Sequence, residues 1–128
     1  MAMGCEIRHV ADVTILDLTG RLSLGETLTL GEGQQLALAD AVRELSDQGH
    51  KRILLNLAAV KYVDSSGVGQ LVGTLTSARG HGVALKLLNP VKQVRDLLRM
   101  TKLHLVFDVH DDEAAAIASF AKRAAMGA

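Results

Sequence analysis

The run Ile53-Leu54-Leu55-Asn56-Leu57 constrains this chain more than any other feature. It lacks the apolar–polar alternation of a strand with one wet face. It therefore reads as a central strand from Arg52 to Leu57, covered on both faces. Such a strand needs helices around it, and the flanking segments supply them. A first helix is predicted from about Gln34 to Gln48, with Leu38, Ala41, Val42 and Leu45 on one face and Gly49 as its stop. A second follows the strand and runs to about Arg79. Val68, Leu71, Val72 and Leu75 fall on its inner face at i, i+3, i+4 and i+7 spacing, and Gly80-His81-Gly82 ends it.

Val83 to Leu88 is the next predicted strand. Asn89-Pro90 then starts a third helix, with Asn89 as cap, Pro90 at the first helical position, and Val91, Val94, Leu97 and Leu98 inward. Leu105 to Val109 reads as a last strand. Asp111-Asp112-Glu113 opens an alanine-rich helix to about Ala125, its acids at the positive end of the helix dipole. At the other end, Glu6 to Val10 and Val13 to Leu18 are strands joined at Ala11-Asp12 by a tight hairpin, and Thr19-Gly20 ends the second. The order ββαβαβαβα predicts an α/β fold, a mixed and mostly parallel sheet of about five strands with about four helices. The 128 residues are read as a single domain, 1–128, without repeats or linkers. Residues 21–35 form an irregular extended loop punctuated by Gly25, Gly31 and Gly33. Within it Thr27-Leu28-Thr29-Leu30 fits either a small extra strand or a loop.

Composition excludes several functions. The formal net charge is zero, so nothing in the bulk charge favours nucleic acid or an anionic membrane. With no Trp, one Tyr and two Phe, the chain lacks stacking platforms for single-stranded nucleic acid. Cys5 is the only cysteine, which rules out an intrachain disulfide and a thiolate zinc site. It is expected as a half-buried free thiol. The N-terminus lacks a signal-peptide pattern, and no apolar run approaches the ~20 residues of a membrane span, so a cytoplasmic location is expected. His9, His50, His81, His104 and His110 have no helical ligand spacing and read as solvated turn residues. No phosphate-cradling glycine loop is present. No metal or cofactor is expected.

The chemistry concentrates where the central strand feeds the second helix, at Val63-Asp64-Ser65-Ser66-Gly67-Val68-Gly69. One reading is structural: Ser or Asp satisfies the first helical N–H groups, and the glycines let the helix approach the sheet. The other is regulatory. A helix N-terminus attracts anions, and an exposed serine there can accept a phosphate of about −1.5 to −2 charges. Nucleophilic catalysis is not supported, because Ser65 lacks the Gly-x-Ser-x-Gly elbow and an evident base. The chain is therefore read as a non-enzyme. Lys92, Arg95, Arg99 and Lys102 make a basic stripe, read as a solvated face or as a contact for an acidic partner.

The sequence resembles the STAS domain family, in the branch of bacterial anti-sigma factor antagonists. The resemblance rests on Val13-Thr14-Ile15-Leu16-Asp17-Leu18-Thr19-Gly20-Arg21-Leu22, on Ile53 to Leu57, on the Asp64-Ser65-Ser66-Gly67-Val68-Gly69 step, and on Leu85 to Val91 with Leu97 to Leu103. It implies an antagonist that binds an anti-sigma factor when unphosphorylated and so frees a sigma factor. That partner would also be a serine kinase of the histidine-kinase-like ATPase type. It would phosphorylate Ser65 and dissociate, and a phosphoserine phosphatase would reset the cycle. Asp64 would orient Ser65 and contribute to the kinase contact, Ser66 would be a helix cap or secondary acceptor, Gly67 and Gly69 would give the partner close access to the helix start, and Val68 would belong to the same partner-binding surface. Ser23, counted with the partner-binding residues, stands where many members carry an acid. The alternative is a non-switching scaffold or sensory module whose 21–35 loop binds a partner or small ligand.

Overall fold

The computed structural model describes residues 3–23, 26–29 and 35–127, with side chains through residue 121. Five strands form one sheet in the order β1-β2-β5-β6-β7. β1 (Gly4–Val10) and β2 (Val13–Leu22) are an antiparallel hairpin, turned at Ala11 with a left-handed φ of 54°. β2, β5 (Arg52–Val63), β6 (Ala84–Leu88) and β7 (Val109–His110) are mutually parallel. The helices are α1 (Leu38–Asp47), α2 (Ser65–Gly80), α3 (Lys92–Met100) and α4 (Glu113–Gly127). The predicted order is kept, and the sheet is mixed and mostly parallel as expected.

The covering of β5 is unequal. One face carries α1, α2 and α3 over a large aliphatic core that includes Leu16, Leu18, Ile53, Leu55, Leu57, Leu71 and Val94. The other carries α4, with Ala116 and Phe120 against Val13, Ile15, Leu54 and Leu88. Polar groups complete that second layer. Arg8 on β1 bonds Asp17 at 2.5 and 3.0 Å and Glu113 of α4 at 2.6 Å. Asn56 donates to the same Asp17 carboxylate at 2.7 Å. Lys86, fully buried on β6, donates to Ser119 at 2.6 Å and pairs with Asp108 at 3.0 Å.

Several boundaries differ from expectation, each for a local reason. β2 runs past Thr19-Gly20 to Leu22, because Gly20 takes a φ of 100° beside a register shift and lets the strand continue. β5 likewise extends beyond Leu57 to Val63, where the same irregularity removes the simple side-chain alternation. α1 begins at Leu38, later than predicted, because Gln35–Leu36 is a short strand β4 paired with β3 (Leu28–Thr29). The extra strand weighed for Thr27 to Leu30 thus exists at its centre. Much of the expected 21–35 loop, including Gly25 and residues 30–34, lies outside the described residues.

On α2, Val72 is 38% exposed and does not line the core. Gly67, Leu71, Thr74, Leu75 and Ala78 do, and Thr74 tolerates burial because its hydroxyl donates to the Gln70 carbonyl at 2.6 Å. Asn89 is not a cap: its φ is 51°, its N–H donates to the His110 carbonyl at 2.8 Å, and α3 starts only after Val91. Lys102, also left-handed at φ 61°, turns the chain out of α3. Leu103–Leu105 then forms a 3-10 turn in place of the predicted strand, and the strand shrinks to Val109–His110. The basic stripe is broken at the same point, because Lys102 lies beyond α3 and Arg95 is tied to Asp111.

Candidate functional site

The Asp64 junction lies at the carboxyl end of β5, where the chain leaves the sheet and enters α2. Asp64 is the N-cap. Its backbone is extended at φ −97°, and its side chain accepts the Gly67 N–H at 2.8 Å. Its own N–H reaches the Leu22 carbonyl at 3.4 Å, so the cap is anchored to the end of β2. The capping duty read for either Ser or Asp thus falls to Asp64. That leaves Ser65, the first helical residue, exposed to solvent. Ser66 is half-buried.

The two glycines do different things. A Cβ on Gly67 would lie 2.0 Å from the Leu22 carbonyl oxygen and 2.9 Å from Val63 Cγ1. Gly67 is therefore the residue that allows α2 to begin against the end of β2. A Cβ on Gly69 would meet nothing within 4 Å. Gly69 and Ser65 both face outward, while Val68 is half-buried against the core.

Ser23 follows directly on the last residue of β2, and its carbonyl accepts a hydrogen bond from Gln70 Nε2 of α2 at 2.5 Å. The structure thus brings Ser23 beside the first turns of α2, the end that carries Asp64 and Ser65. Gln70 is a site residue that sequence reasoning missed. It lies five positions beyond Ser65 and carries no motif, and its Oε1 is buried without a partner among the described residues. A second missed feature is a shallow groove of about 280 Å³ lined by Val63, Gln93, Asp96, Leu97 and Met100. Its outer wall, Met100, is 81% exposed. Arg21, whose guanidinium lies 4.5 Å from the Tyr62 ring, adds a cation on the neighbouring strand ends. Among the described residues no histidine bonds Ser65: His9 and His50 meet each other and Thr14 across the fold, and His110 meets Asp108 and Ser119.

The STAS domain family model matches residues 5–116, nearly the whole described fold and all of this site. The chain belongs to the STAS domain family. A relative from Thermotoga neapolitana, named as a TM1081 homolog and candidate anti-sigma factor antagonist, is 31% identical over 68 residues, or 53% of this chain. That match spans 60% of the relative's own length. Among solved structures, an anti-sigma factor antagonist from Mycobacterium paratuberculosis superposes with a TM-score of 0.71 at 15% identity, covering 91% of this chain and 92% of the other. The phosphorylated form of SpoIIAA, a Bacillus cell fate determinant, gives a TM-score of 0.56 at 21% identity, covering 91% of this STAS chain and 98% of SpoIIAA. At such identities the structural likeness establishes the shared fold. No helix among the described residues of this STAS chain is long and apolar enough to cross a membrane.

Proposed function

We propose that this protein is an anti-sigma factor antagonist that acts as a single cytoplasmic domain and is switched by phosphorylation of Ser65. Unphosphorylated, it binds an anti-sigma factor that is also a serine kinase of the histidine-kinase-like ATPase type, and the sigma factor is released. The kinase transfers a phosphoryl group to Ser65, the complex separates, and a phosphoserine phosphatase resets the chain. It is a kinase substrate in this scheme, not a catalyst.

The observation that carries the reading is the exposure of Ser65 as the first residue of α2, with Asp64 held beside it by the bond to Gly67. A partner can reach this hydroxyl without any local unfolding. Open space at Gly69 allows a second backbone to come close, and the neighbouring groove offers apolar contact at Leu97 and Met100. A phosphate on Ser65 suits the helix dipole of the free chain. In a complex it must be desolvated next to the Asp64 carboxylate. A penalty of about 3 kcal/mol weakens binding more than a hundredfold, so no change of fold is needed.

The test is the affinity of Ser65→Ala and Ser65→Asp for an ATPase-type anti-sigma factor from the same genome, read by calorimetry. Ser65→Ala is expected to bind as the unmodified chain does. Ser65→Asp, with one added charge, is expected to bind at least tenfold more weakly. Equal binding by the two variants defeats the proposal.

A further inference from the structure

One stripe of α3 builds most of the groove beside the Ser65 site. Gln93, Asp96, Leu97 and Met100 follow at i, i+3, i+4 and i+7, so they share one face of the helix, and Val63 of β5 lines the same groove. The apolar part of the lining is graded: Val63 is buried, Leu97 is half-buried, and Met100 stands clear in solvent. Asp96 is the one charged residue in that lining. It is exposed, and its carboxylate has no hydrogen-bond or ion-pair partner among the described residues. Lys92 and Arg99 lie on the same helix, one turn to either side, but neither lines the groove or pairs with Asp96. The nearest acid on the site itself, Asp64, is already committed to the Gly67 N–H at 2.8 Å.

An unpaired carboxylate set between apolar side chains selects its occupant. A Lys or Arg side chain carries an aliphatic stem that packs on Leu97 and Met100, and a cationic head that pairs with Asp96. A purely apolar occupant would strip water from the carboxylate without replacing it, and an acidic one would be repelled. The volume of about 280 Å³ lies below the usual range of small-molecule clefts and suits one long side chain. We infer that this groove receives a Lys or Arg side chain of the anti-sigma factor, with Asp96 as the residue that sets partner choice. The inference rests on the proposed function. Val63 immediately precedes Asp64 and Ser65, so the groove adjoins the surface that a kinase must cover to reach the hydroxyl.

The probe is an ATPase-type anti-sigma factor from the same genome, titrated into the whole chain by calorimetry without ATP, so that no phosphoryl transfer intervenes. Asp96→Asn is expected to weaken binding about tenfold and Asp96→Lys by more than that, while Asp96→Glu, which restores the charge, stays within about threefold of the parent. Raising the salt is expected to weaken the parent complex more than the Asp96→Asn complex. Unchanged urea midpoints for all three variants check that the fold is intact, as expected at an exposed position. Undiminished binding by Asp96→Lys overturns the inference, and tighter binding does so as well, because it shows an acidic partner surface drawn to Lys92 and Arg99. Ser65→Asp run in the same titration keeps the two ideas apart. If Ser65→Asp binds weakly and Asp96→Lys binds normally, the groove is refuted and the switch stands; the reverse pattern refutes the switch and leaves the groove.

Discussion

Within one helix turn, Gly67 and Gly69 make a paired test of how the Ser65 site is built. Both are helical, so replacing either with alanine gains the same intrinsic helix propensity, about 0.5–1 kcal/mol. Only Gly67 has a neighbour in the way: its Cβ would sit 2.0 Å from backbone oxygen of Leu22, which cannot swing aside as a side chain can. Gly67→Ala is therefore expected to destabilise the chain by about 2–4 kcal/mol, and Gly69→Ala to stabilise it slightly. Urea denaturation measures both, and equal effects contradict the close approach described for α2. The sequence carried the Asp-Ser-Ser-Gly-Val-Gly string, but a string cannot show which glycine touches β2 and which faces solvent. Nor could it show that Asp64 takes the cap and leaves Ser65 exposed. Gln70 was invisible for a related reason: its role comes from a contact with Ser23, 47 positions away in the chain.

Among the elements, helices and strands with long periodic patterns were legible and short ones were not. α1, α2 and the central part of β5 follow from apolar spacing because their burial is extensive. β7 did not, because two residues paired to β6 leave almost no pattern, while the apolar run Leu105-Val106 is exposed at 74% and 45%. Asn89 misled because a residue that suits a helix cap equally suits a left-handed turn. α4 depends on groups the pattern did not single out. Lys86 is buried at 2% exposure and lies 4.7 Å from the Phe120 ring, joined to Ser119 and Asp108. Lys86→Met keeps most of the volume and leaves Asp108 half-exposed, free to hydrate. Its stability is expected to stay within about 1 kcal/mol of the parent, whereas Lys86→Ala opens a cavity under Phe120 and costs about 2–4 kcal/mol. Denaturant midpoints decide it, and a large loss for Lys86→Met shows that the charge itself holds α4.

Across the whole molecule, ion pairs on the α4 face couple stability to acid. The hydrogen bond from Arg8 holds the Asp17 carboxyl below the usual range; partial burial opposes this and Asn56 supports it. For Asp108 burial acts upward, but the hydrogen bond and charge of Lys86, with His110, outweigh it and lower its pKa. A carboxylate with a lowered folded pKa stabilises the fold fully above its unfolded value and loses that contribution as pH falls through the folded one. Thermal stability is therefore expected to drop between about pH 5 and pH 2, with Asp17→Asn showing a shallower dependence; a flat profile in the parent contradicts this. None of these groups touches Ser65, so the acid response and the proposed switch are separable. The most direct measurement of the switch is intact-mass analysis after incubation with ATP and a cognate ATPase-type anti-sigma factor. The account predicts one added phosphoryl group on the parent and on Ser66→Ala, and none on Ser65→Ala. An unmodified parent, or a phosphoryl group retained by Ser65→Ala, would contradict it.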